Sequence, residues 1–149
     1  MVEKPAAGRA LSVVIERDLP HPPEKVWRAL TQPHLVEEWL MKADIRPVVG
    51  HRFALRMQPQ PDRTFVFECE VVVAEQNSRL SYTWNTPDDE DGDGLRSVVT
   101  FTLTPTGSGT RLRMEQSGFR PDQPQYHRGA VGGWHRFLGA LEALLARLG

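Results

Sequence analysis

QPQYHRGAVGGWHRFLGALEALLARL, residues 123–148, sets Val131, Trp134, Leu138, Leu141, Leu145 and Leu148 at spacings of three and four. That period places them along one stripe of an α-helix. Phe137 and Leu144 fall on a neighbouring stripe. The helix is expected to start between Gln123 and Tyr126. Gly129, Gly132 and Gly133 occupy its first turns. Each is less favourable there than alanine by about 0.5–1 kcal/mol. They mark either a weak or kinked opening, or a place where strand and helix backbones approach closely. A long helix with an apolar stripe needs an apolar surface to cover it.

The residues before it supply that surface. Phe53, Leu55 and Met57 alternate with Arg52, Ala54 and Arg56. Phe65, Phe67, Cys69, Val71 and Val73 alternate with Thr64, Val66, Glu68, Glu70 and Val72. The same period of two runs through Leu80, Tyr82 and Trp84, through Val99, Phe101 and Leu103, and through Leu112, Met114 and Gln116. It marks strands with one covered and one wetter face. Gln76-Asn77-Ser78 and Thr106-Gly107-Ser108-Gly109 carry turn chemistry. Such short connections favour an antiparallel meander. LSVVIERDL, residues 11–19, reads as a first strand. After Pro20-His21-Pro22-Pro23, Val26, Trp27 and Leu30 read as one short helix, and Leu35, Val36 and Trp39 after Pro33 as another. The fold class is α+β: an antiparallel sheet curved around a long C-terminal helix, with two short helices after strand 1. A sheet bent around a helix leaves room between them at its wider end. Residues 1–9 read as a loose leader and residues 10–149 as one domain.

Composition narrows the function. The chain has 149 residues and a formal net charge of −1. Near-balance argues against a nucleic-acid partner, which calls for a basic excess, and against an anionic membrane surface. No apolar run reaches the length of a membrane span, and none near the start resembles a signal peptide. The single cysteine, Cys69, cannot form an internal disulfide and sits mid-strand, which suits a buried thiol in a reducing, cytoplasmic setting. His21, His34, His51, His127 and His135 show no zinc spacing. Asp89, Asp91, Asp93 and Gly94 match the opening of a calcium loop, but Thr100 stands where the bidentate glutamate belongs, and both flanks read as strands. No metal and no cofactor are expected. Phosphate-loop, dinucleotide and serine-hydrolase signatures are absent.

Several stretches together carry a family resemblance. They are Pro23-Glu24-Lys25-Val26-Trp27-Arg28-Ala29-Leu30-Thr31 with Pro33-His34-Leu35 and Trp39; Gly50 before Phe53; and Leu80-Ser81-Tyr82-Thr83-Trp84. Further on come Val99-Thr100-Phe101-Thr102-Leu103, then Gly109-Thr110 to Gly118-Phe119, and Gly133-Trp134 opening the last helix. From Leu11 to Leu148 the chain resembles the START-like superfamily, also called SRPBCC. Within it, the chain resembles the branch named after the C-terminal domain of the activator of the heat-shock-protein-90 ATPase. The resemblance implies a helix-grip fold. Members bind hydrophobic ligands, act as cyclases or transporters, or assist a chaperone. The activator itself has a separate N-terminal domain for which this chain has no room, a departure that weighs against the co-chaperone role. Fold alone does not choose among these functions.

The expected site is a ligand cavity between sheet and final helix. Its candidate walls are Trp39, Phe53, Leu55, Met57, Phe67, Tyr82, Trp84, Phe101, Met114, Trp134 and Phe137, with Gln116 as an inward polar group. The same apolar periodicity describes a solid core; the two readings differ only in whether the space is filled. A one-residue register slip would turn a whole set outward. Arg17, Glu68, Glu70 and His135 are further polar candidates, or members of the solvated faces. Three functions follow: non-catalytic binding of a small hydrophobic or amphipathic molecule, association with a chaperone, and catalysis using Glu68, Tyr82 or His135. A monomer and a homodimer fit equally well.

Overall fold

The computed structural model describes residues 11–88 and 94–148. The chain runs β1 (Leu11–Leu19), α1 (Pro23–Thr31), α2 (Pro33–Trp39), β2 (Lys42–Ala43), β3 (Arg52–Gln60), β4 (Arg63–Glu75), β5 (Arg79–Asn85), β6 (Arg96–Thr106), β7 (Gly109–Phe119) and α3 (Pro124–Arg147). All strands join one antiparallel sheet in the order β1-β7-β6-β5-β4-β3-β2. Three of the four connections in the meander from β3 to β7 are short turns, and Asn77, in the left-handed region with φ 63°, closes one of them. β1 returns to the far edge beside β7, with Ile15 opposite Met114 and Val13 opposite Gln116. The two-residue β2 has no alternation to announce it and exists only because Ala43 and Lys42 pair with Leu55 and Arg56.

Each helix begins with proline in its first turn, where the missing N–H has no partner to lose. α3 packs on α1, α2, β1 and β7, burying Trp134, Leu138, Leu141, Leu144 and Leu145. Val26, Leu30, Val36 and Trp39 from the short helices fill the adjoining part of the same core. Burying a large apolar side chain contributes about 1.5–3 kcal/mol. α3 is uninterrupted, and its glycines do not mark a close backbone approach. A Cβ at Gly129 or Gly132 would meet nothing within 4 Å, and one at Gly133 would meet only Phe137 Cε2, at 3.6 Å. The missing side chains leave space rather than admit a backbone. Val131, read into the stripe from its spacing, is 36% exposed. Among the described residues no helix is long and apolar enough to cross a membrane.

Three register shifts interrupt the ladder, one of them beside the β3–β4 turn between Met57 and Gln60. Between Val71, opposite Tyr82, and Val73, opposite Ser81, the register shifts, leaving Val72 as the extra residue and turning Ala74 toward Leu80. Ser12 pairs with Ser117 but Leu11 with Phe119, so Gly118 is the extra residue in β7. A bulge increases local twist and resets which residues face inward. Phe119 is therefore fully buried although simple alternation from Gln116 would turn it outward. Gly118 has φ +113°, and a Cβ there would stand 2.5 Å from the Arg96 carbonyl oxygen. Gly118→Ala is accordingly expected to destabilise the fold by about 1–3 kcal/mol, read as a lower urea midpoint with unchanged slope. An unchanged midpoint would mean that this bulge bears no strain.

The leader and the calcium-loop residues Asp89, Asp91 and Asp93 lie outside the described residues. The segment that contains the acidic run joins two strands, β5 and β6.

Candidate functional site

A lattice of rings lies between the sheet and α3. Trp134, on α3, meets Trp84 of β5 at 5.5 Å between centroids, Phe101 of β6 at 5.9 Å and Phe137 at 5.6 Å. Phe67 of β4 lies 5.0 Å from Trp84. On the other side, Phe101, Tyr82 and Phe53 continue the series, and Trp39 approaches Phe101 edge-on at 6.2 Å. Tilted and edge-to-face contacts of this kind stabilise beyond their area alone.

The lattice divides into a filled and an open part. Trp39, Phe53, Leu55, Tyr82, Phe101 and Met114 are packed in the core and do not border the cavity beside it. α2 fills that end of the concave face: Trp39 lies against Phe101 and donates its indole N–H to the Ala29 carbonyl at 2.8 Å. The other candidates, Met57, Phe67, Trp84, Gln116, Trp134 and Phe137, do border a cavity of about 300 Å³. Its floor is buried, at Trp84, Gln116, Phe119, Gly133 and Trp134; its mouth is exposed, at Phe65, Gln125, Gly129 and Arg136. The opening lies where the first turns of α3 carry glycine instead of a side chain.

Sequence periodicity missed several wall residues. Phe119 is hidden by the Gly118 bulge. Met41 and Leu95 stand outside the regular strands and helices that periodicity detects. Tyr126, Ala130 and Arg136 lie off the most apolar stripe of α3. The glycines were the one available signal for these helix positions.

Gln116 organises the floor. It is 2% exposed, and its side-chain oxygen accepts the Trp134 indole N–H at 2.7 Å. Its amide nitrogen donates to Ser97 Oγ at 2.9 Å, and that hydroxyl donates to the Trp84 carbonyl at 2.6 Å. A buried amide is tolerated only when bonded in this way. The chain of bonds ties α3 to β7, β6 and β5 and holds Trp134 in one orientation.

The remaining polar candidates are dispersed. Glu68 and Glu70 lie on the opposite face of the sheet in a shallow charged groove with Arg52 and Arg56, where Arg52 pairs with Glu70 at 3.3 Å. His135 is exposed and meets Arg17 at 3.4 Å; Arg17 also lies 3.9 Å from Glu142. Tyr82 is in the core, its phenol pushed well above the ordinary 10.0 by burial and by the nearby Cys69. Glu68, Tyr82 and His135 thus occupy three separate environments, with no shared acid–base centre among the described residues.

Cys69 is buried and free, and burial pushes its thiol up to about 12 from 9.0. A reactive thiol needs the opposite setting. The native chain should resist a thiol reagent at pH 8 and react fully once denatured. The unfolded thiol ionises near 9.0 and the folded one near 12, so its contribution to stability is complete below pH 9 and lost as pH rises toward 12. Urea midpoints should therefore fall over that window; rapid native labelling would contradict the burial of Cys69.

Comparison with known proteins adds the following. Residues 20–146 match the family described as activator of Hsp90 ATPase homolog 1-like protein. The crystal structure of protein MLL2253 from Mesorhizobium loti is 58% identical, with TM-score 0.85 over 93% of this chain and 99% of that one. Protein NE0264 from Nitrosomonas europaea is 25% identical, with TM-score 0.77 over 92% and 95% of the two chains. DynU16, a putative protein in the dynemicin biosynthetic locus, is 25% identical with TM-score 0.72; the match covers 93% of this chain and 47% of that one. No curated protein matches.

Proposed function

Because this chain belongs to the activator of Hsp90 ATPase homolog 1-like family, on a START-like helix-grip fold, we propose that it binds a small apolar or amphipathic molecule between α3 and the sheet. The observation that carries this reading is the cavity of about 300 Å³ walled by Met57, Phe67, Trp84, Gln116, Trp134 and Phe137. Its volume lies at the lower end of the usual ligand-pocket range, and its wall combines apolar faces with few polar groups. Gln116 spends one lone pair on Trp134 and one N–H on Ser97, leaving one acceptor and one donor position for a ligand. The action is binding without chemistry, in a cytoplasmic setting suited to the reduced Cys69.

Trp84 and Trp134 stand in the wall, so occupancy reads out in tryptophan fluorescence. Titration with the neutral probe phenylnaphthylamine should give saturable binding of about micromolar Kd, near −8 kcal/mol. Linear, non-saturating uptake would remove the proposal. The chaperone reading rests on the family description alone; a stimulated Hsp90-type ATPase together with no probe uptake would put it in place of the ligand reading.

A further inference from the structure

We infer that the ligand is an aromatic anion: a compact, flat ring body carrying one carboxylate or sulfonate, with the rings against Phe67, Trp84, Trp134 and Phe137 and the anion on Arg136. The inference rests on the cavity being a ligand site and adds the charge and shape of its occupant. Arg136 borders the cavity at its exposed mouth, one residue before Phe137. No aspartate or glutamate stands in the wall among the described residues. Some arginines are neutralised within the fold, as Arg147 is by Glu38 at 2.7 Å and Arg96 by Asp88 at 2.8 Å. Arg136, among the described residues, makes no hydrogen bond or ion pair. A second cation lies close by: the Arg63 guanidinium stands 5.3 Å over the ring of Phe65, another residue of the mouth.

An apolar chamber whose rim holds positive charge and no carboxylate favours an anion at the rim and disfavours a cation. A planar guanidinium also offers paired N–H donors that match carboxylate and sulfonate oxygens. The ring content of the wall selects a flat body over a long flexible chain, since ring faces gain most from stacking against other rings. At about 30 Å³ per water volume, the chamber holds about ten waters, which sets the size of the buried part at a few rings.

The test uses two probes that share one apolar body, phenylnaphthylamine and its sulfonate, anilinonaphthalenesulfonate. Both are titrated into the intact chain and into two variants, Arg136→Gln and Arg128→Gln; Arg128 is exposed on the same helix but outside the wall. The ratio of sulfonate to neutral affinity is expected to fall about fivefold in Arg136→Gln, the size of a favourable exposed ion pair. It is expected to hold in Arg128→Gln, and to fall in the unaltered chain at high salt. Binding of both probes with an unchanged ratio in Arg136→Gln would overturn the anion assignment and leave the cavity reading standing. Binding of neither probe to the unaltered chain would overturn the cavity reading itself.

Discussion

Gly133→Leu is expected to lower the affinity for phenylnaphthylamine by at least about tenfold, equal to about 1.4 kcal/mol, while the chain stays folded. Gly133 is buried in α3 and borders the cavity. Its backbone is not in the left-handed region, and a Cβ there meets Phe137 Cε2 at 3.6 Å, an ordinary contact. The first carbon therefore fits, and the rest of the leucine side chain has only the chamber of about 300 Å³ to enter. Replacing a glycine inside a helix also relieves about 1 kcal/mol of unfavourable propensity. Thermal stability should hold or rise as binding falls, which separates occlusion from damage. Gly133→Ala should raise stability and leave affinity nearly unchanged. A folded Gly133→Leu chain with undiminished affinity would place the probe elsewhere on the molecule.

Trp134→Ala is expected to cost about 3–5 kcal/mol of stability. Trp134 is 1% exposed, touches Trp84, Phe101 and Phe137, and supplies the N–H that satisfies Gln116. Against a typical total of about 5–15 kcal/mol, that is enough to populate unfolded chain at ordinary temperature. Trp134→Phe separates packing from hydrogen bonding. It keeps a ring in the lattice but strips the donor from a buried amide oxygen, a loss of about 1–3 kcal/mol. Urea unfolding followed by far-ultraviolet circular dichroism measures both, since the fluorescence reporter is itself altered. A Trp134→Phe chain as stable as the original would show that the bond to Gln116 holds geometry without adding stability.

Much of this architecture is readable residue by residue. The first strand spans Leu11–Leu19 as its β-branched run indicates, and the prolines at positions 23, 33 and 124 each open a helix. Gln116, singled out by its parity with Leu112 and Met114, is buried, at 2% exposure. The candidate site was legible less evenly. Alternation found Phe53, Phe67, Tyr82, Trp84 and Phe101 but not Phe119, and periodicity gives Trp39 of α2 and Trp84 of β5 the same standing, although one fills the core and the other borders the chamber. Gly129, Gly132 and Gly133, read as a weak or kinked opening or as a close backbone approach, lie in an unbroken helix whose opening turns leave space beside the sheet.

The amino-acid sequence by itself determined the elements other than β2 and most of the apolar face of each, because side-chain period and backbone propensity act over a few neighbouring residues. It also determined the lack of a basic excess and of an apolar run of membrane-spanning length. Only the tertiary structure decided where the concave face is filled and where it is left open. That depends on α2 lodging Trp39 at one end and on α3 presenting glycine at the other, two segments separated by most of the chain. It also decided that Phe119 turns inward, since a bulge arises from the partner strand's register rather than from the residue's own surroundings. The rim is likewise a product of assembly, because Phe65 of β4 comes to border the same cavity as Gln125 and Arg136 of α3 only once the helix has docked on the sheet.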